Sequence, residues 1–136
     1  LRYISDATVL LNSSISEGQS GTIAEAMMLG TLVFARDIPG NRKLFDLCEA
    51  RACASLGAAK TKTIKGDGWE MHPVGVLFST PSGCMNAFDA LGLGVGAMAE
   101  TLDAVAELKL RAREGVGELS VNEAKRWTEI LHEIKD

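Results

Sequence analysis

The sequence predicts an α/β fold in which helices flank a parallel sheet. Two short apolar runs, residues 8–12 (TVLLN) and 31–35 (TLVFA), do not alternate with polar residues. Such runs are typical of strands that are covered on both faces. Residues 22–29, between them, repeat apolar side chains at helical spacing. Residues 8–36 therefore predict a strand, a loop, a helix and a second strand, a unit of about 30 residues.

The following elements are predicted from local signals. Ser20 is a candidate N-cap for the helix over 22–29, and Gly30 stands where a C-terminal glycine is favoured. After the second strand, Asn41 is placed to cap a helix that begins at the next residue. Residues 74–79 (VGVLFS) regain the pattern of a strand, and Pro81 ends it and begins a helical region.

Two further segments, a weakly patterned stretch and the C-terminal helices, complete the predicted domain. Residues 50–73 show little periodicity, and we interpret part of this stretch as an insertion into a domain that spans residues 1–136. Residues 82–135 predict C-terminal helices, in which Gly115 and Gly117 interrupt the apolar stripe before a second helix begins at a capping box over 120–123. Residues 103–136 hold fourteen charged residues and residues 1–41 only six, so the C-terminal helices are expected to be solvated.

Composition excludes several classes of protein. The chain has 136 residues, enough for one domain with its own core. Its net charge of −4 argues against a nucleic-acid partner, because phosphate contacts need clustered lysine and arginine. No apolar run approaches the roughly 20 residues of a membrane-spanning helix. The chain begins at Leu1 without a signal peptide, and we interpret it as part of a longer protein.

Cysteine and histidine usage gives no sign of a metal site. The three cysteines form no CxxC pair, and an odd number of thiols favours buried, reduced cysteines and a cytoplasmic location. His72 and His132 lie far apart without ligand spacing, so zinc is not expected. His72 also has no base partner visible in the sequence. Residues 92–97 fit the G-x-G-x-x-A pattern of dinucleotide sites, but no clear strand precedes them.

The segment most informative about chemistry follows the first predicted strand. A polar loop over residues 13–21 leaves the carboxyl end of that strand, where ligands bind in open α/β sheets. The first turn of the next helix offers free N–H groups and a positive dipole end, which suit phosphate. Gly18 and Gly21 allow the backbone to approach a ligand closely.

Two carboxylates flank this turn. Glu17 lies in the loop and Glu25 in the helix, with seven residues between them. A carboxylate can accept hydrogen bonds from the two hydroxyls of a sugar or ribose diol. The arrangement suits a nucleotide-sugar better than a free nucleotide. The alternative is a generic strand–helix unit, in which Glu25 does no more than complement the helix dipole.

The same segment resembles the donor-binding motif of the family-4 glycosyltransferases, which have the GT-B fold of two Rossmann-like domains. The family pattern is S-x-x-E-G, a glycine-containing turn, a second glutamate after seven residues, then A-M and a glycine. This chain matches it with residues 14–18 (SISEG), residues 25–27 (EAM) and Gly30. Residues 33–41 and 75–81 are similar to the strands and turns that follow in the family. The resemblance implies a Rossmann-like C-terminal lobe of a GT-B fold.

The resemblance also implies roles for individual residues. Glu17 would be the catalytic residue, which binds hydroxyls of the transferred sugar near the reacting carbon. Glu25 would bind the ribose diol. The backbone facing the sugar and the diphosphate would be that of Gly18, Gln19, Ser20, Gly21 and Thr22. The implied activity is a metal-independent, retaining hexosyl transfer from a nucleotide-sugar, which serves as substrate and not as cofactor.

The chain departs from the family at Gln19 and Ser20, where the family often has an aromatic residue followed by glycine. The family's acceptor-binding lobe and the basic residues that bind diphosphate lie upstream of residue 1. We therefore expect the isolated chain to lack transferase activity and to need an N-terminal acceptor-binding lobe. Two alternatives stay open: a sugar-nucleotide 2-epimerase-like enzyme, and a non-catalytic, truncated nucleotide-sugar-binding lobe.

Overall fold

The computed structural model describes residues 2–16, 18, 20–57, 64–93 and 103–118. These residues form five helices and five strands. In chain order the elements are α1 (Arg2–Ser5), β1 (Val9–Asn12), α2 (Gly21–Met28), β2 (Leu32–Arg36), α3 (Pro39–Leu56), β3 (Lys65–Gly66), β4 (Trp69–His72), β5 (Gly75–Phe78), α4 (Pro81–Ala90) and α5 (103–118).

The strands form one mixed sheet in the order β1-β2-β5-β4-β3. β2 pairs in parallel with β1 on one side and with β5 on the other, whereas β4 and β3 extend the sheet as an antiparallel hairpin. The predicted α/β class is confirmed, and the architecture is consistent with a Rossmann-like fold. The hairpin was not anticipated within the weakly patterned stretch 50–73. It turns at Gly68, whose φ of +73° is a conformation that favours glycine. The interpretation of part of the stretch 50–73 as an insertion stays a prediction.

The prediction that both apolar runs form strands covered on both faces is wrong for β1, which lies at the edge of the sheet and leaves Leu11 53% exposed. It is confirmed for β2. The core lies on both faces of the sheet. β2 shows this most clearly, because its side chains alternate between two clusters. Val33 and Ala35 pack with residues of α2 and α3, whereas Leu32 and Phe34 pack with residues of β4, β5 and α4. All four are at most 2% exposed, so β2 is the central strand of a three-layer arrangement.

Both ends of α2 are capped as predicted. The hydroxyl of Ser20 accepts a hydrogen bond from the N–H three residues later, at 3.4 Å. At the other end Gly30 has a φ of +74°, and its N–H donates to the carbonyl of Met27. The N–H of Thr31 donates to the carbonyl of Ala26 at 2.9 Å. These two bonds form a Schellman motif, which ends the helix sharply and directs the chain into β2.

The start of α3 differs from the prediction. The helix begins at Pro39, three residues before the predicted start at Arg42, because the fixed φ of proline suits the first helical position. Asn41 is therefore not an N-cap but a buried residue in the first turn. Its amide donates to the carbonyl of Arg36 at 3.0 Å and lies 3.5 Å from Oδ1 of Asn12. Asn41 thus links α3 to the carboxyl ends of two strands.

The predicted interruption at Gly115 and Gly117 is wrong, because α5 continues through both residues to 118. Gly115 lies against the backbone of α3, and the absence of a Cβ permits this close approach. Leu108 and Ala112 of the predicted stripe are buried. So is Arg111, which is 1% exposed and pairs with a glutamate one turn earlier, although the charge count predicted solvated helices here. The segments 94–102 and 119–136 lie outside the described residues, and with them most of the 92–97 glycine motif and the 120–123 capping box.

No helix among the described residues combines the length and apolar character that crossing a bilayer requires. All three cysteines are unpaired. Cys48 and Cys84 are buried as predicted, whereas Cys53 is half-buried. Burial raises the pKa of the Cys48 thiol to about 12, so this side chain stays a neutral packing group at physiological pH.

Candidate functional site

The carboxyl ends of the three parallel strands meet at one edge of the sheet. Asn12 of β1 is paired with Ala35, and the next residue, Arg36, is paired with Phe78 of β5. The loop after β1 and the start of α2 therefore stand beside the ends of β2 and β5. This is the edge at which open α/β sheets bind ligands, and it is where the sequence predicts the site.

Among the described residues, nothing covers the first turn of α2. Ser20 is 8% exposed and serves as the cap, since its oxygens accept the N–H groups of Ile23 and Ala24. Gly21 and Thr22 are exposed, and their N–H groups have no acceptor among the described residues. Two backbone donors thus point away from the helix at its positive end, an arrangement that suits an anion.

Glu25 lies one turn further along α2 and is exposed. Its carboxylate forms no ion pair or hydrogen bond with any described residue. Residues three apart on a helix share a face, so Glu25 lies on the side of Thr22. Of the remaining predicted site residues, Gly18 is exposed, whereas Glu17 and Gln19 lie outside the described residues. The structure thus brings Ser20, Gly21, Thr22 and Glu25 together on the first two turns of α2, and their roles stay predictions.

A polar group that the sequence analysis did not single out supports this turn. The amide nitrogen of Asn12 lies 3.5 Å from the hydroxyl of Ser20, and its Oδ1 accepts the N–H of Ser14 at 3.2 Å. The Oδ1 of Asn41 is buried and accepts no hydrogen bond from the described residues. An unsatisfied buried acceptor is rare and is expected to take a hydrogen bond from water or from a ligand. An asparagine as the last residue of the predicted strand was the signal in the sequence.

An ion-pair network occupies the adjacent corner. The guanidinium of Arg42 donates to both oxygens of Asp37 at 2.7 Å and contacts Glu70 at 2.8 Å, and Lys65 lies 3.5 Å from the same glutamate. Hydrogen bonding from Arg42 holds the pKa of Asp37 below its ordinary value. The stabilisation is complete above the unfolded pKa and is lost as the pH falls through the lowered folded value. Because both carboxylates are ion-paired with Arg42, neither is a candidate general base.

His72 has a partner that the sequence did not show. Its Nε2 lies 3.1 Å from a carboxylate oxygen of Asp46 and 3.7 Å from one of Glu49, both on α3. The three side chains could surround a metal ion. However, the Nδ1 of His72 accepts the N–H of Val74 at 3.4 Å, so we assign the ring proton to Nε2. In that tautomer Nε2 donates to Asp46 and has no lone pair for a metal. His72 therefore connects β4 to α3 by a hydrogen bond.

Comparison with known proteins finds a short but close similarity. Over 32 residues the chain is 66% identical to glycosyltransferase 1 domain-containing protein 1 of Xenopus tropicalis. This similarity suggests a glycosyltransferase-like relationship for the matched stretch. The matched stretch is 24% of this chain and 9% of the relative, so the chain accounts for a small part of that protein. No family model matches the chain, and no solved structure does.

Proposed function

We propose that this chain is the donor-binding half of a glycosyltransferase, which transfers a hexosyl group from a nucleotide-sugar with retention. The observation that carries the proposal is the open first turn of α2 at the carboxyl end of β1, in a chain that is similar to a glycosyltransferase-domain protein. A GT-B lobe would present its donor site at this edge of its sheet.

The proposed donor lies along α2. The free N–H groups of Gly21 and Thr22 bind the diphosphate, where the helix dipole favours negative charge. Glu25, one turn later, accepts hydrogen bonds from the two ribose hydroxyls, and both of its oxygens are available because no described residue pairs with it. Glu17 takes the catalytic role beside the transferred sugar, and this assignment depends on the resemblance of residues 14–18 to the family motif.

The chemistry in this proposal is electrostatic. As the sugar leaves, negative charge accumulates on the diphosphate, and donors that already point at it stabilise that charge without reorganisation. The proposal includes no metal. The acceptor-binding lobe is assigned to sequence outside this chain, so the isolated chain binds the donor without transferring the sugar. Product analysis on a full-length protein would separate this activity from 2-epimerisation.

Glu25→Gln is expected to lower donor affinity by about tenfold or more, because charge-assisted hydrogen bonds contribute about 1.5–3 kcal/mol each and tenfold corresponds to about 1.4 kcal/mol. The measurement is calorimetric titration of the chain with UDP-glucose and GDP-mannose, in parallel in buffer with and without EDTA. Asp89→Asn is the matched control, since it removes one exposed carboxylate near the end of α4 and should leave affinity unchanged.

Three results would count against the proposal. If neither nucleotide-sugar binds the chain, α2 is not a donor site for these two classes of donor. If Glu25→Gln binds as tightly as the unaltered chain, the ribose role is wrong even though binding occurs. Binding that disappears in EDTA would contradict the metal-independent assignment.

A further inference from the structure

A second feature of the same sheet edge is a cavity between the ends of the parallel strands and α4. Its volume is about 280 Å³, and it is half-open to solvent. The lining combines side chains from β1, β2, β5 and α4 with the loops that follow two of these strands. The side chains that the argument uses most are Leu11, Arg36, Phe78, Ser79, Cys84 and Met85.

Most of the cavity wall is apolar. Phe78 and Cys84 are nearly buried, whereas Leu11 is 53% exposed and Met85 is 61% exposed. Two large apolar side chains are therefore left in water beside an apolar wall. A ligand with an apolar body would remove this surface from solvent, which favours binding at roughly 25 cal/mol per Å².

Arg36 is the only charged residue in the described lining. Its guanidinium makes no ion pair with any described residue, and the nearest acidic residue in the sequence, Asp37, is fully engaged by Arg42. A half-buried cation that has no counter-charge among the described residues and lies beside apolar surface favours an anionic group at that position. The hydroxyls of Ser13, Ser79 and Thr80 provide further polar contacts around the same opening.

We propose that this cavity binds a small amphiphilic ligand, in which a carboxylate or phosphate group contacts Arg36 and an apolar body fills the space beside Phe78 and Met85. At roughly 30 Å³ for each water-sized group, the cavity admits about nine non-hydrogen atoms. The planar fork of the guanidinium suits either head group, because both present two oxygens to parallel N–H donors.

The proposal is tested by amide NMR titration of the chain with hexanoate and with butyl phosphate, which separates the two head groups. Acetate, inorganic phosphate and hexan-1-ol provide the head group or the body alone. Hexanoate or butyl phosphate should bind at least about tenfold more tightly than its head group alone and than hexan-1-ol, with shifts at Ser79 and Cys84. Arg36→Gln should reduce this affinity about tenfold, because it removes the charge that pairs with the head group.

Two variants separate the cavity from nonspecific charge effects. Arg51→Gln removes one exposed positive charge on α3 and should leave affinity unchanged. Met85→Ala should weaken the binding of hexanoate and leave the binding of acetate unchanged. Met85 is 61% exposed, so the substitution should leave the fold intact.

The proposal is overturned if no probe binds, or if Arg36→Gln binds both amphiphiles as the unaltered chain does. It is also overturned if acetate or inorganic phosphate binds as tightly as its amphiphilic counterpart, which would indicate an adventitious ion only. Because the assay contains no nucleotide-sugar, its failure would leave the donor site of α2 unaffected, and failure of donor binding would leave the cavity unaffected.

Discussion

Phe34→Ala is expected to lower the free energy of unfolding by about 3–5 kcal/mol. Phe34 lies on the central strand β2, is 0% exposed, and its ring centroid is 4.5 Å from that of Phe88. Removal of the ring costs its transfer free energy and leaves a void between the sheet and α4, and a close-packed three-layer core cannot fill that void without moving a helix. Urea denaturation measured by circular dichroism gives the difference.

The matched control is Tyr3→Ala, which removes an aromatic ring that is 93% exposed. Its effect should lie within about 0.5 kcal/mol. Equal effects of the two substitutions would mean that the face of β2 toward α4 is not a packed core, and the three-layer arrangement would be wrong.

Gly115→Ala is expected to destabilise the chain by about 2–3 kcal/mol, in the upper part of the range for overpacked sites. A Cβ at this position would overlap the backbone of Cys48, so α5 would have to move away from α3. Backbone atoms cannot adopt another rotamer to relieve such a contact. Thermal or urea unfolding of the chain measures the loss.

Gly117→Ala, two residues further along the same helix, provides the opposite expectation. A Cβ there meets no atom of the described residues within 4 Å. Alanine favours a helix over glycine by up to about 1 kcal/mol, so this variant should be neutral or stabilising. If both variants change stability in the same direction, the close approach of α5 to α3 is not present in the folded chain.

The parts of the fold that the sequence predicted are those whose signals are local. The unbroken apolar runs gave β1 and β2, Ser20 and Gly30 marked the ends of α2, and Pro81 marked the start of α4. A cap or a turn depends on a few neighbouring residues, so the folded chain forms it as the local sequence predicts. The hairpin of β3 and β4 could not be predicted in the same way, because a two-residue strand has too few residues to show periodicity.

The errors arose where tertiary contacts outweigh local preference. Gly115 was predicted to interrupt a helix, yet it permits close packing of α5 against α3. Asn41 reads as a cap, yet it lies buried against the end of β2. His72 contacts Asp46, which lies 26 positions away in the sequence. The cavity beside Arg36 is lined by residues of four separate elements. Local sequence patterns do not predict contacts between residues so far apart in the chain. For the candidate site, the sequence indicated α2, and the structure adds that two N–H groups in its first turn have no acceptor among the described residues.

The central claim is that the open first turn of α2 binds the diphosphate of a nucleotide-sugar. The most direct measurement is an amide NMR titration of the chain with UDP-glucose and GDP-mannose. The account predicts that the amides of Gly21 and Thr22 show the largest shifts with at least one donor, and that the shifts diminish in Glu25→Gln at equal donor concentration. Shifts concentrated elsewhere, with Gly21 and Thr22 unchanged at saturation, would contradict it.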